Sequence, residues 1–148
     1  MDRAKELAPF LQYDADSYPV IIDGRIKFII DAYTTTSFYP YAQTADRNSV
    51  PGNSGLADNF NYVRNSVKVV IDAYDGDVTF YVVDDQDPII NAYMQAFPDL
   101  FTIAFPNDGS DTQMPKEVAD HLRYPEDLFK VQTNMWGCLL YTSPSPRD

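Results

Sequence analysis

Apolar and polar positions alternate with a period of two in two places along the chain, and each place is split by an Asp-Gly pair. The run "YPVIIDGRIKFIIDAY" holds two β-rich segments around Asp23-Gly24, a pair that accepts the positive φ angles of a tight type I′ turn, and predicts a hairpin. A second hairpin is predicted by "NSVKVVIDAYDGDVTFYVVDD". There Val67, Val69, Ile71 and Ala73 fall on one face, Asp75-Gly76 marks the turn, and Val78 to Val83 returns as β-branched and aromatic residues. The strings "IIDAY" at 29–33 and "VIDAY" at 70–74 echo each other, yet two short matches do not make a repeat architecture.

Helical spacing occupies other stretches. "DRAKELAPFL" has helix-forming residues up to Pro9, with Ala4, Leu7 and Ala8 near one face, and reads as the last turns of a helix. In "DPIINAYMQAFP", Asp87 can cap a helix whose first turn holds Pro88, and Ile89, Ile90, Tyr93 and Phe97 make its apolar stripe. Pro115 opens "PKEVADHLRY" and Pro125 opens "PEDLFKVQTNMW", with Val118 and Leu122 in the first and Leu128, Phe129 and Gln132 in the second at helical spacing. Between Thr34 and Asn59 the chemistry is that of a loop. The expectation is that Phe38, Tyr39 and Tyr41 anchor the start of that loop and that residues 45–59 are mobile. Together these patterns predict an α+β fold: two β-hairpins in a mainly antiparallel sheet with about three packed helices, in an incomplete domain.

Composition narrows the function classes. With 148 residues, 45% hydrophobic and 14% aromatic, the chain can bury a core and does not read as disordered. Its formal charge of -11 repels phosphates and anionic headgroups, which argues against a nucleic-acid partner. The lone cysteine, Cys138, excludes an internal disulfide and a cysteine-zinc site. No apolar run is long enough to span a bilayer, and the first residues do not have the order of a signal peptide.

Three ordered blocks carry a resemblance: "APFLQYDADSYPVIIDGRIKFIIDAYTTTSFYPYAQ", "FNYVRNSVKVVIDAYDGDVTFYVVDDQDPIINAYMQAFP" and "MPKEVADHLRYPEDLFKVQTNMW". They resemble Uncharacterised Protein Family zero-one-eight-two, a family of bacterial multi-spanning membrane proteins, over residues 8–137. "NYVRNSVK", "DAYDG" and "LRYPEDLFKVQ" are the most distinctive pieces. The resemblance implies that residues 1–137 are a fragment of one soluble extracytoplasmic domain facing outward from the cell membrane. The upstream membrane helices would then belong to the missing remainder of the chain. The last stretch, "CLLYTSPSPRD" at 138–148, is similar codon by codon to a translated transposon-type sequencing adapter and is expected to be an artefact tail.

Candidate chemistry is sparse. Asp72, Asp75, Asp77, Asp84, Asp85 and Asp87 crowd the second hairpin and its exit, and clustered carboxylates suit a hard cation. Asp72, Asp75 and Asp77 are the metal candidates, set against a solvated acidic face and against the turn and cap roles of Asp75 and Asp87. His121 is the only histidine, so a His-based triad or a multi-histidine zinc site has no second imidazole, and a surface or packing role fits it better. Ser54 and Ser110 lack the context of a nucleophile elbow, and no phosphate-binding glycine loop supports a cofactor. The aromatics of "SFYPY" and "TFYV" fit packing in a β core better than a sugar- or peptide-binding surface. "RYPEDLFKVQ" fits local charge pairing or a docking face for missing chain.

The function expected on this reading is a structural or binding module of a membrane protein, with no activity of its own and no assigned catalytic residue. Its partners would be the rest of its own chain and an unidentified protein or envelope component. The alternatives are part of an envelope hydrolase whose site is completed by missing sequence and, more weakly, a free-standing acidic cytosolic domain. A truncated last helix would also leave Phe129, Met135 and Trp136 short of packing partners.

Overall fold

A computed structural model of the chain describes residues 2–45, 54–56, 59–106 and 111–140. The chain opens with helix α1 (Asp2–Leu7), then strands β1 (Gln12–Tyr13), β2 (Tyr18–Ile22) and β3 (Arg25–Thr36). β4 (Tyr62–Asp72) and β5 (Val78–Val82) follow, then α2 (Pro88–Ala96), β6 (Phe101–Ile103), α3 (Lys116–Asp120) and α4 (Glu126–Leu140). The fold is α+β, as the periodicity predicts.

One six-stranded sheet has the order β1-β3-β4-β5-β6, with β2 also paired to β3. The pairs from β1 to β5 are antiparallel. β6 is parallel to β5, because α2 carries the chain back before β6 begins, the kind of crossover a parallel pair requires. The first hairpin turns at Asp23 (φ 52°) and Gly24 (φ 71°), both left-handed as a type I′ turn demands. The second is wider: Ile71 pairs with Val78, the Asp72 amide donates to the Asp77 carbonyl, and Gly76 takes a φ of 72°.

Helices cover both faces of the sheet centre, so β3 is buried continuously from Ile29 to Thr34 instead of alternating. On one face Ile30, Val67, Val69 and Phe80 pack with Ala4, Ala8 and Ile90, bringing in α1 and α2. On the other, Ile29 and Val70 meet Tyr18, Val20, Met114 and Val118, which seats α3. A third cluster joins Tyr33, Leu56, Phe60 and Val131 and fixes α4. Each large side chain so buried is worth about 1.5–3 kcal/mol.

The expected aromatic anchors do not anchor. Phe38 and Tyr41 are 90% and 109% exposed, and Tyr39 only stacks at 5.7 Å on Tyr62. β3 runs on to Thr36 before the chain leaves the sheet, and Asn61 then grips the Tyr39 backbone through both its amide groups, leaving the rings outside. Leu56 and Phe60, at the far end of the loop, do the anchoring. The rest of the 45–59 stretch expected to be mobile falls mostly outside the described residues. In "TFYV", Phe80 is buried in the core as expected of that run.

Candidate functional site

Buried polar groups lie along β3, β4 and the elements that flank them. Asp14, Asp31, Asp87, Asp127 and Lys68 are all nearly inaccessible, a costly arrangement unless each charge is paired or hydrogen-bonded. Asp87 is the most densely partnered. It accepts from the Tyr62 hydroxyl at 2.7 Å, the Ser66 hydroxyl at 2.5 Å, the Thr34 hydroxyl and the Ile89 amide at 3.0 Å, the last capping α2. Burial alone would raise its pKa, but the hydrogen bonds from Ser66, Thr34, Tyr62 and Ile89 prevail and hold it below the ordinary value. Burial, with the same carboxylate beside it, pushes the Tyr62 hydroxyl up to about 12.

Asp14 and Asp127 form a second knot. Asp14 accepts from the Tyr33 hydroxyl, the Asp16 amide at 2.9 Å and the Asp127 amide at 3.1 Å. The Asp127 carboxylate in turn accepts from the Gly55 amide at 2.8 Å and the Ala15 amide at 3.3 Å. Three distant segments are thereby tied to the first turn of α4. Burial, with Asp14 as hydrogen-bond partner, drives the Tyr33 hydroxyl far above its ordinary range.

The third pair opens onto a cleft. Lys68 donates to Asp31 and, at 2.9 Å, to the backbone carbonyl of Arg123. Burial raises the Asp31 pKa, with Lys68 opposing the effect. In front of Lys68 lies an open cavity of about 470 Å³ between β4 and the corner that joins α3 to α4. Its charged lining is Arg64, Lys68, Arg123 and Asp84; Asn65, Tyr124 and Gln132 add polar groups, and Val63, Pro125 and Leu128 an apolar wall.

A register shift shapes this wall. Between the pairs Ala32↔Val67 and Thr34↔Arg64, β3 has one residue, Tyr33, where β4 has two, Asn65 and Ser66. In a regular strand Arg64 and Lys68 would share one face and Asn65 the other; with the bulge, all three line the same cleft. The corner is equally fixed: the Arg123 amide donates to the Tyr18 hydroxyl at 3.2 Å, and its guanidinium stacks 4.5 Å above the Tyr18 ring.

Of the acidic residues singled out from the sequence, Asp84 lines the cleft and Asp87 caps α2, while the metal candidates lie elsewhere. Asp72 and Asp75 both engage Arg25, and Asp72 also accepts from the amides of Tyr74 and Asp75. The Arg25 guanidinium holds the Asp72 carboxyl down at about 2. Asp77 contributes its backbone carbonyl to the turn. Among the described residues, no group of three or more His, Cys, Asp or Glu side chains is placed to hold a metal ion. His121 ends α3, its Nδ1 2.6 Å from the Glu117 carbonyl. The Ser54 hydroxyl accepts from the Leu56 amide at 3.1 Å, and Ser110 is outside the described residues.

Sequence spacing gives Asp87 a cap role and a place in the acidic cluster, and does not single out Asp14, Asp31 or Lys68. The available signal was a charge inside an otherwise apolar strand: Asp31 in "FIIDAY" and Lys68 in "SVKVVID" pair directly across β3 and β4.

A family model for an uncharacterised protein family, UPF0182, matches residues 1–145. A UPF0182 protein of Clostridium botulinum strain Hall is 46% identical over 137 residues, which is 93% of this chain and 13% of that protein. UPF0182 proteins of an Arthrobacter species and of Methanospirillum hungatei are each 43% identical over 97% of the chain, covering 14% and 15% of their own length. The chain thus spans about one seventh of the length of these relatives. No solved structure matches it. Residues 141–148 of the expected tail lie outside the described residues, and the family match reaches residue 145. A match over nearly the whole chain, reinforced by relatives at this identity, means that the chain belongs to the UPF0182 family.

Proposed function

We propose that this region is a scaffold and binding module in the outward-facing soluble part of a multi-spanning membrane protein, and that it docks on the remainder of its own chain through α4. The observation that carries the docking is the outer side of that helix. Phe129 and Trp136 are 56% and 63% exposed, while Asp127 and Val131 face inward and Met135, one turn beyond Val131, lies on their side beside Phe60. Phe129 and Trp136 are seven residues apart and so stand one above the other, on the side away from Val131. An apolar stripe of this kind in water marks an interaction surface. The relatives supply more than enough additional chain to cover it.

The membrane setting is supported by the resemblance of the three sequence blocks to a family of multi-spanning proteins. Among the described residues, no helix is long and apolar enough to cross a membrane. The buried carboxylates support scaffolding over catalysis, since Asp14, Asp87 and Asp127 are occupied in holding backbone and hydroxyl groups. The rival reading, an envelope hydrolase, draws on Asp31, whose pKa is raised by burial. Asp31 is not among the residues that line the cleft.

The test is protease added to intact cells that express the full-length parent with a tag in this region. Cleavage from outside supports the reading. Cleavage only after lysis, with the parent in the soluble fraction, returns the free-standing cytosolic domain.

A further inference from the structure

We propose that the cleft between β4 and the α3–α4 corner binds an oxyanion, the carboxylate or phosphate group of a small organic ligand, with Arg123 and Lys68 as its principal contacts and Arg64 at its edge. Three cationic side chains line this cavity against one carboxylate, Asp84, in a chain whose formal charge is -11. Scattered solvating charge in so acidic a chain would not gather cations in one concavity.

The cations are held in place before any ligand arrives. Lys68 is fixed by Asp31 and by the Arg123 carbonyl, and an ammonium has three donors, so one N–H remains after these two. Arg123 is held through its carbonyl by Lys68, through its amide by the Tyr18 hydroxyl and through its guanidinium by the Tyr18 ring. That guanidinium forms no ion pair among the described residues, although it carries five donors in a fork that matches an oxyanion. Arg64 is already shared with Asp84 at 3.1 Å, which places it at the edge. The volume of about 470 Å³ exceeds what a bare inorganic ion fills and falls in the range of small-molecule sites. The apolar wall of Val63, Pro125 and Leu128 would take the ligand's body.

This inference does not depend on the docking of α4 or on the membrane setting. The test is calorimetric titration of the purified full-length parent with citrate and, separately, with inorganic phosphate, at ionic strength held constant with sodium chloride. Saturable binding of either probe is expected, and the probe that binds tells carboxylate from phosphate. Arg123→Gln, which removes an exposed side chain, should weaken binding by about tenfold or more. Asp84→Asn should strengthen it by freeing Arg64, a gain that misfolding cannot imitate. Lys116→Gln, far out on α3, should change nothing. No saturable binding of either probe, or an Arg123→Gln variant that binds as well as the parent, overturns the proposal.

Discussion

Replacing Asp87 with alanine removes four acceptor contacts at once. The cap on α2 contributes about 1 kcal/mol. Thr34 and Ser66 are at most 1% exposed, and each buried hydroxyl left without its acceptor costs about 1–3 kcal/mol. These two lie 3.3 Å apart and can partly satisfy one another, so only one such penalty is counted in full. With the part-buried Tyr62 hydroxyl adding little, the expected loss is about 2–4 kcal/mol, a large share of the stability of an ordinary domain. Asp87→Asn keeps one acceptor oxygen and should cost about half as much, since hydrogen bonds to a charged group are roughly twice as strong as neutral ones. Because the folded pKa of Asp87 is depressed, its contribution is present above the unfolded value of 3.8 and is lost as pH falls through the lower folded value. The assay is urea unfolding of both variants at neutral pH and across the acid range. If Asp87→Ala shifts the unfolding free energy by less than about 1 kcal/mol, the network is not holding α2 to the sheet and the reasoning fails.

Other perturbations follow from the same web. Gly55→Ala drives a methyl group into the Tyr13 carbonyl, with the carbonyl carbon 2.8 Å and the Ala15 amide nitrogen 3.1 Å away; it should cost about 2 kcal/mol or more in a urea melt. Lys68→Met leaves Asp31 buried and unpaired and should destabilise by about 3–5 kcal/mol, whereas the double change Lys68→Met with Asp31→Leu should recover most of it in a double-mutant cycle. Arg25→Gln should return the Asp72 carboxyl from about 2 toward its ordinary 3.8, followed by NMR titration, because the guanidinium is the largest cause of the depression.

Strand pairing and helix starts were legible where the chain carries local chemistry. Asp23-Gly24 fixed the first hairpin, and Asp87-Pro88, Pro115 and Pro125 marked three helix openings. β6 was not legible: "FTI" is three residues long, and its parallel pairing depends on where α2 returns the chain, which no local pattern encodes. The exposed aromatics at 38–41 misled because composition cannot say on which side of a turn a ring will fall. The cleft escaped for a related reason. Arg123 lies 55 residues beyond Lys68 in sequence, and the bulge that brings Asn65 to the same wall as Arg64 and Lys68 leaves no sequence mark of its own. Asp72, Asp75 and Asp77 stood out because they are close in sequence, yet in space two of them are occupied by Arg25.

The central claim is that this region is one face of a larger assembly formed by its own chain, and hydroxyl-radical footprinting read by mass spectrometry addresses it most directly. The rates of oxidation at Phe129 and Trp136 would be compared between the isolated region and the full-length parent protein. The account predicts fast modification of both in isolation and strong protection in the parent. Equal rates in the two would contradict it, and the outer face of α4 would then be an ordinary solvent-facing surface.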